Sequence, residues 1–517
     1  MKQDITSNHI KPNVILNLVQ SLIQKTKSNY IQSDMQKKNG KIGLAILILF
    51  TTSCTKFVEI DPPATDLIKS TVFTDESTAT AAIIDVYAQM INGISYSNGT
   101  ITSSLSYRAG LSADELDLYS TNAEHIEFAT NTILPTTSVI NSSFWAAPYK
   151  HIFQANAILE GLPNSEKLTP ALKSRLEGEA KFLRAYAYFH LVNMFGDVPL
   201  IKTTDYRINS NIPRTSKSEV YQQIITDLKD AQNLLDSNYR APNNTITSER
   251  ARVNKFAATA LLARTYLYLK DWPNAETQAS AIINYTALYE LQPLKDVFIK
   301  NKKEAIWQLS RDNGNAPDAG AFIFTTVPNN GALKNSLVTS FEANDQRKVN
   351  WIGSRVSGVN TYYFPNKYKL TSLTPIDEYS MMLRLAEQYL IRAEARINQP
   401  GKIADGIADL NVLRSRASLP APNNLPPLLT VLSKEQAIVA LELERQHELF
   451  TELGHRWFDL KRWPSILTPG DNTLSRADDV LKPLKAGWTK EDKLYPIPQV
   501  QINNDPAMAN QQNPGYN

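Results

Sequence analysis

The side chains capable of chemistry are thinly spread along this chain of 517 residues. Six histidines stand at positions 9, 125, 151, 190, 447 and 455. The stretch HELFTELGH, His447 to His455, comes nearest to a zinc-protease helix. That chemistry needs a second imidazole one helical turn after the first, and Thr451 occupies the place. His455 lies too far along the same helix for both rings to reach one ion. No GxSxG elbow and no GxxxxGK(S/T) phosphate loop occur. The acid pairs Asp114 with Glu115 and Asp377 with Glu378 are chain neighbours pointing different ways. Glycoside hydrolysis needs two carboxylates facing each other across a sugar. A facing pair would have to be assembled from distant segments; no enzyme activity, cofactor or metal is expected from these residues.

Binding chemistry is better represented. Residues 94–142 carry Tyr96, Tyr107 and Tyr119 among many Ser, Thr and Asn. Residues 311–378 carry Trp351, Tyr362, Tyr363 and Phe364 among Gly, Asn and Pro. Connections this long within a compact domain are commonly functional, because ordering them costs backbone entropy that something must offset.

The elements that hold these stretches are helical. STATAAIIDVYAQMING, FWAAPYKHIFQANAILEGL and LKSRLEGEAKFLRAYAYFHLVNMFGDVPL read as helices, the last stopped by Gly196 and Pro199. Ser216 with Glu219, and Ser433 with Gln436, have capping-box spacing. From Ser433 the apolar positions Val439, Leu443, Phe450, Leu453 and Trp457 continue at helical spacing. Two pairs of helices have a small-large pattern. Ala263 and Tyr266 precede a turn at Asp271–Pro273, and Ala275, Ala279 and Ile282 line the returning helix. Ala393 and Ala408 are expected to face each other around Pro400–Gly401. Small residues at such contacts let antiparallel helices approach, as in a tetratricopeptide hairpin. EAIWQLS and NTYYFP are the better strand candidates. The expected fold is mostly α: a tetratricopeptide-like helical-repeat bundle with a loop-rich ligand-binding subdomain.

Cys54 is the only cysteine, so it has no internal disulfide partner. It follows Lys37, Lys38 and Lys41, the apolar run Ile42–Phe50, and Thr51–Thr52–Ser53. The run is too short to span a bilayer and has the proportions of an export signal. Residues 35–53 therefore read as a lipoprotein signal peptide and Cys54 as the acylated N-terminus of a mature domain, 54–517. Thr51 departs from the usual leucine three before the cysteine. Residues 1–34 are expected to precede the true start at Met35. Lys plus Arg number 54 against 51 Asp plus Glu, with no basic block of the kind that binds nucleic acid.

TKFVEIDPP after Cys54, AKFLRAYAYFHLVNMFGDVPL, LRLAEQYLIRAEARIN, ELERQHELFTELGHRWFDLKRW and the closing LYPIPQVQINNDPAMANQQNPGYN resemble the SusD/RagB family, in that order. The resemblance implies an outer-membrane lipoprotein, anchored at Cys54 and facing outward, that captures an oligosaccharide for a TonB-dependent, SusC-like β-barrel transporter. Its signature blocks look structural: Arg456 and Asp459 are expected to tie a helix end to its neighbours while Trp457 packs inward.

Ligand contacts are expected from the two variable stretches. Sugars offer apolar CH faces and hydroxyl edges, which suit flat aromatics flanked by polar partners. Tyr96, Trp351, Tyr362 and Tyr363 are the expected stacking surfaces, and Arg108, Asp117 and Asn360 the hydrogen-bond partners. Two alternatives stay open: the same scaffold capturing peptides, and a tetratricopeptide adaptor for protein tails.

Overall fold

The computed structural model describes residues 72–92, 104–311 and 313–516. Cys54, the signal peptide, the upstream extension and Tyr96 lie outside the described residues. Helix α1 spans Glu76–Asn92, α2 Leu105–Ser112, α3 Ala123–Thr130 and α4 Ala147–Gly161. Helix α5, Pro170–Phe195, forms the centre of the bundle. Thr169 caps it by accepting from the Leu172 N–H, Pro170 supplies the preset first turn, and Gly196 ends it. From Phe182 onward α5 is buried on all sides, as a helix must be when apolar residues ring its whole circumference. It packs between α4 and α6, Lys217–Leu234.

The first expected hairpin is present as α7, Lys255–Tyr268, and α8, Trp272–Ile283. Ala263, Ala275, Ala279 and Ile282 are all fully buried between them. The second, α9 Leu385–Ile397 and α10 Ile403–Arg416, forms in a different register. Ala408 is exposed, and Gly406 takes the expected contact with Ala393. A Cβ at Gly406 would lie 2.8 Å from the Ala393 carbonyl oxygen and 2.7 Å from Ile397 Cγ1. The approach is closer than alanine permits.

The segment from Ser433 is two helices, α11 Lys434–Leu449 and α12 His455–Arg462. The Ser433–Gln436 capping box forms as expected. Between the helices Thr451, Leu453 and Gly454 adopt φ of 52°, 46° and 74°. The break is held from outside: the Thr451 N–H donates to Glu115 Oε1 and the Leu453 N–H to Ser106 Oγ. Phe450, Leu453 and Trp457 are buried as expected, though not along one helix, and Val439 is exposed. The inward face of α11 carries Glu444, Arg445 and Glu448 beside Leu441.

Besides a short two-stranded pairing of Tyr239–Arg240 with Ile246–Thr247, two sheets complete the frame. Strands β1 Leu116–Leu118, β2 Ala305–Leu309, β3 Gly331–Leu333, β4 Ile352–Ser357, β5 Asn360–Pro365 and β6 Ser380–Arg384 follow in chain order. β2 and β6 pair antiparallel and are wholly buried. The other four form one antiparallel sheet in the order β1-β3-β5-β4. β2 and β5 are the two expected strands. Among the described residues no helix is long and apolar enough to cross a membrane.

Candidate functional site

The four-stranded sheet joins the two stretches that sequence reading kept apart. β1 comes from residues 94–142 and β3 to β5 from residues 311–378. Leu116, Asp117 and Leu118 pair with Leu333, Ala332 and Gly331, and Leu333 pairs with Tyr363. β4 and β5 make a hairpin in which Ser357 opposes Asn360 and Arg355 opposes Tyr362. Its two-residue turn is Gly358–Val359, and Gly358 takes the positive φ, +61°, that such turns demand.

The polar and aromatic groups gathered here are open to solvent. Tyr119, just past β1, is 44% exposed, and its ring stands edge-on to Tyr362 at 5.5 Å. Tyr362 is half-buried and Asn360 exposed on this face, while Tyr363, one residue further on, turns to the core side with Leu333. Asp117 pairs with Lys334 at the sheet's flank. Arg355 lies over Phe364, its guanidinium 5.3 Å from the ring centroid, and Phe324 packs against the same ring at 5.0 Å. Gly353 is required opposite Phe364, since a Cβ there would meet the ring at 2.3 Å. The result is a shallow shelf with aromatic edges and hydrogen-bonding groups, suited to a long, flexible polar ligand.

Of the residues expected from sequence, the sheet brings together Asp117, Asn360, Tyr362 and Tyr363. Trp351 is not among them, and the expectation that it stacks on ligand is corrected. It is fully buried, and its indole N–H donates to the Leu294 carbonyl at 2.9 Å. Its ring is covered by the chain's own cations: Lys367 at 4.9 Å, Arg416 at 5.5 Å and Arg384 at 5.9 Å. Arg108 is likewise corrected. It is fully buried in α2, over the Phe128 ring at 4.8 Å and 3.6 Å from Glu124. Sequence reading missed Tyr119 and Arg355. The alternation Leu116-Asp117-Leu118-Tyr119 was the available signal for the tyrosine.

Beneath the shelf lies a buried ion cluster that Trp351 helps to roof. Arg347 pairs with Asp345 at 2.7 Å and with Glu444 and Glu448. Arg384 reaches Glu448 at 2.6 Å, Glu452 at 2.8 Å and Glu304 at 3.1 Å. Arg416 binds Glu304 and Glu448. Lys367 donates to the Glu448 and Phe450 carbonyls and to Glu452. Burial, opposed by Glu452, draws the Lys367 ammonium down to about 8. The cluster ties α10, α11 and the turn after it to β6 and to the segment that leads into the β4–β5 hairpin. Every charge has opposite partners, so the cluster holds geometry and leaves none free for chemistry.

The signature block behaves as expected. Arg456 binds Asp114 at 2.7 Å and Glu442 at 3.0 Å, Asp459 binds Arg445 and Arg462, and Trp457 is fully buried. Among the described residues no cluster of His, Cys, Asp and Glu fit to hold a metal occurs.

Residues 66–267 match a family model described as starch-binding, associating with the outer membrane, and residues 334–516 match the SusD family model. SusD-like protein P25 of Formosa agariphila is 24% identical, covering 92% of this chain and 99% of its own length. A solved laminarin-binding SusD-like protein superposes with a TM-score of 0.66 at 24% identity, over 86% of this chain and 100% of its own. A surface glycan-binding protein A from Bacteroides fluxus gives 0.65 at 20% identity, over 85% and 99%. These solved structures share the fold. With both family models matching in order along the helical bundle and the ion cluster, the chain belongs to the SusD/RagB family of carbohydrate-binding, outer-membrane-associated proteins.

Proposed function

We propose that the protein captures an oligosaccharide on the sheet and passes it to a TonB-dependent β-barrel transporter, while an acyl anchor at Cys54 holds it on the outer face of the outer membrane. The observation that carries this reading is the solvent-facing group of Tyr119, Tyr362, Asp117 and Asn360, drawn from two distant stretches onto one face of one sheet. Tyrosine rings present flat apolar area with a polar tip and lose little entropy on binding. A shelf of this kind suits CH faces and hydroxyls better than a charged peptide terminus. An open shelf of aromatic and hydrogen-bonding groups is suited to capture of the ligand without cleavage.

A glycan array and a peptide pull-down with the protein starting after Cys54 test the cargo. Retention of a polysaccharide fragment without its degradation is expected, and retention of peptides alone would contradict the reading. Protease treatment of intact cells tests orientation: an outward-facing protein is digested, a periplasm-facing one survives. Co-purification of a β-barrel with the protein from detergent-solubilised membranes tests the partner.

A further inference from the structure

Away from the sheet, where the end of α12 meets residues 472–475, lies a cleft of about 470 Å³. That volume is within the roughly 300–1,000 Å³ usual for small-ligand pockets. Lys217, Lys270, Lys461, Arg462 and Lys493 line it, and none of its lining residues is a carboxylate. Arg462 is neutralised by Glu394 and Asp459, and Lys493 by Asp478. The lysines at 217 and 270 have no ion-pair partner among the described residues. The Lys461 ammonium donates to the Asn193 carbonyl at 2.6 Å and otherwise faces the rings of Trp457 and Phe458. Burial, reinforced by the Lys217 charge, pushes it well below the ordinary lysine value. Asn472, Thr473 and Ser475 add hydrogen-bonding groups to the wall.

A second chamber, about 240 Å³, adjoins this cleft and shares Lys270, Arg462, Trp463 and Pro464 with it. Its wall also includes Trp272, Ile438 and Tyr268, together with the carboxylates Glu394 and Glu442, each held by arginine: Glu394 by Arg462, and Glu442 by Arg456 and Arg476. The Tyr268 hydroxyl is buried with no hydrogen-bond partner. An excess of positive charge on one side, offset at Lys217 only in part by Asp197, and aromatic walls on the other describe a ligand with an anionic substituent on a ring.

We propose that this cleft and chamber form a second ligand site, separate from the sheet, for a sugar ring carrying an oxyanion, the sulfate ester or carboxylate among the lysines and the ring against Trp463 and Trp272. The proposal stands independently of the sheet reading.

Titration calorimetry of the full chain, purified in detergent at low salt, tests it with glucose 6-sulfate, glucuronate, glucose, potassium sulfate and a triglutamate peptide. One or both charged sugars are expected to bind at least tenfold more tightly than glucose and than sulfate alone. Glucose 6-sulfate alone would assign a sulfate ester, and glucuronate alone a carboxylate. Lys217→Gln with Lys270→Gln, both exposed residues, is expected to weaken that binding at least tenfold with an unchanged melting temperature. Tyr362→Ala on the sheet is expected to leave it intact. Equal binding of glucose, equal binding of sulfate (an adventitious ion only), tighter binding of the peptide, or an unaffected double variant would overturn the proposal.

Discussion

Trp351 and Tyr362 belong to one stretch of chain and lie on opposite sides of its purpose. Trp351 roofs a dry interior in which Arg347, Arg384, Arg416 and Lys367 are each matched by carboxylates or carbonyls. Tyr362 stands on the sheet with Tyr119 at its edge and water in front of it. The contrast teaches that charge and aromaticity do different work inside and outside this protein. Inside, multiply paired charges fix how the helical frame meets the sheet. Outside, the aromatics are held still by that frame and left uncovered. A buried ion cluster is weak evidence for net stability, but breaking one side of it is costly, because a partner charge is stranded. Mutations in the two regions should therefore separate cleanly into losses of folding and losses of binding.

The largest effect is expected from Glu448→Ala, which takes one carboxylate away from Arg347, Arg384 and Arg416 at once. Chemical denaturation should show a loss of roughly 3–5 kcal/mol. A smaller, pH-gated effect is expected at Glu115, whose side chain caps the turn after α11. Burial, and then the Asp114 charge, push its carboxyl up to about 8. Because the folded value lies above the unfolded one, the unfolded chain gives up this proton first as pH rises. Stability is then lost between the ordinary value, 4.5, and about 8. Glu115→Gln keeps an acceptor for the Thr451 N–H and removes that slope. The variant should gain steadily on the wild type as pH climbs through this window, read from melts at several pH values.

Gly406→Ala probes the frame itself. The added methyl must displace the Ala393 carbonyl or Ile397, at about 1–3 kcal/mol of stability. The smallest effect belongs to the sheet's rim. Asn360→Ala should weaken glycan binding by about 1 kcal/mol, the scale of one net hydrogen bond, with no change in melting temperature.

Much of the frame was legible in the sequence. Caps at Ser216 and Ser433, the stop at Gly196 and the small residues of the first hairpin are local signals, and each formed where it was expected. The second hairpin kept its turn but shifted register, because Gly406 allows a closer contact than Ala408 would. The helix from Ser433 read as continuous because Phe450, Leu453 and Trp457 are all buried. Periodicity registers burial and is blind to the left-handed turn that Glu115 and Ser106 impose from far away in sequence. The sheet was hidden for a related reason. β1 and β3 are three residues each and pair across a long sequence separation, so no local pattern announces them. Residue type alone also could not say which aromatics and cations face water. Trp351 and Arg108 have the chemistry of a glycan site and the surroundings of a core.

The most direct measurement is the affinity of Tyr119→Ala with Tyr362→Ala for whichever oligosaccharide the array selects, set beside Trp351→Phe. Loss of two rings at about 1 kcal/mol each corresponds to about thirtyfold weaker binding, with the melting temperature of the wild type. Trp351→Phe should lower the melting temperature and leave the affinity of the folded protein unchanged. A doubly substituted sheet that still binds at wild-type strength would place the ligand elsewhere.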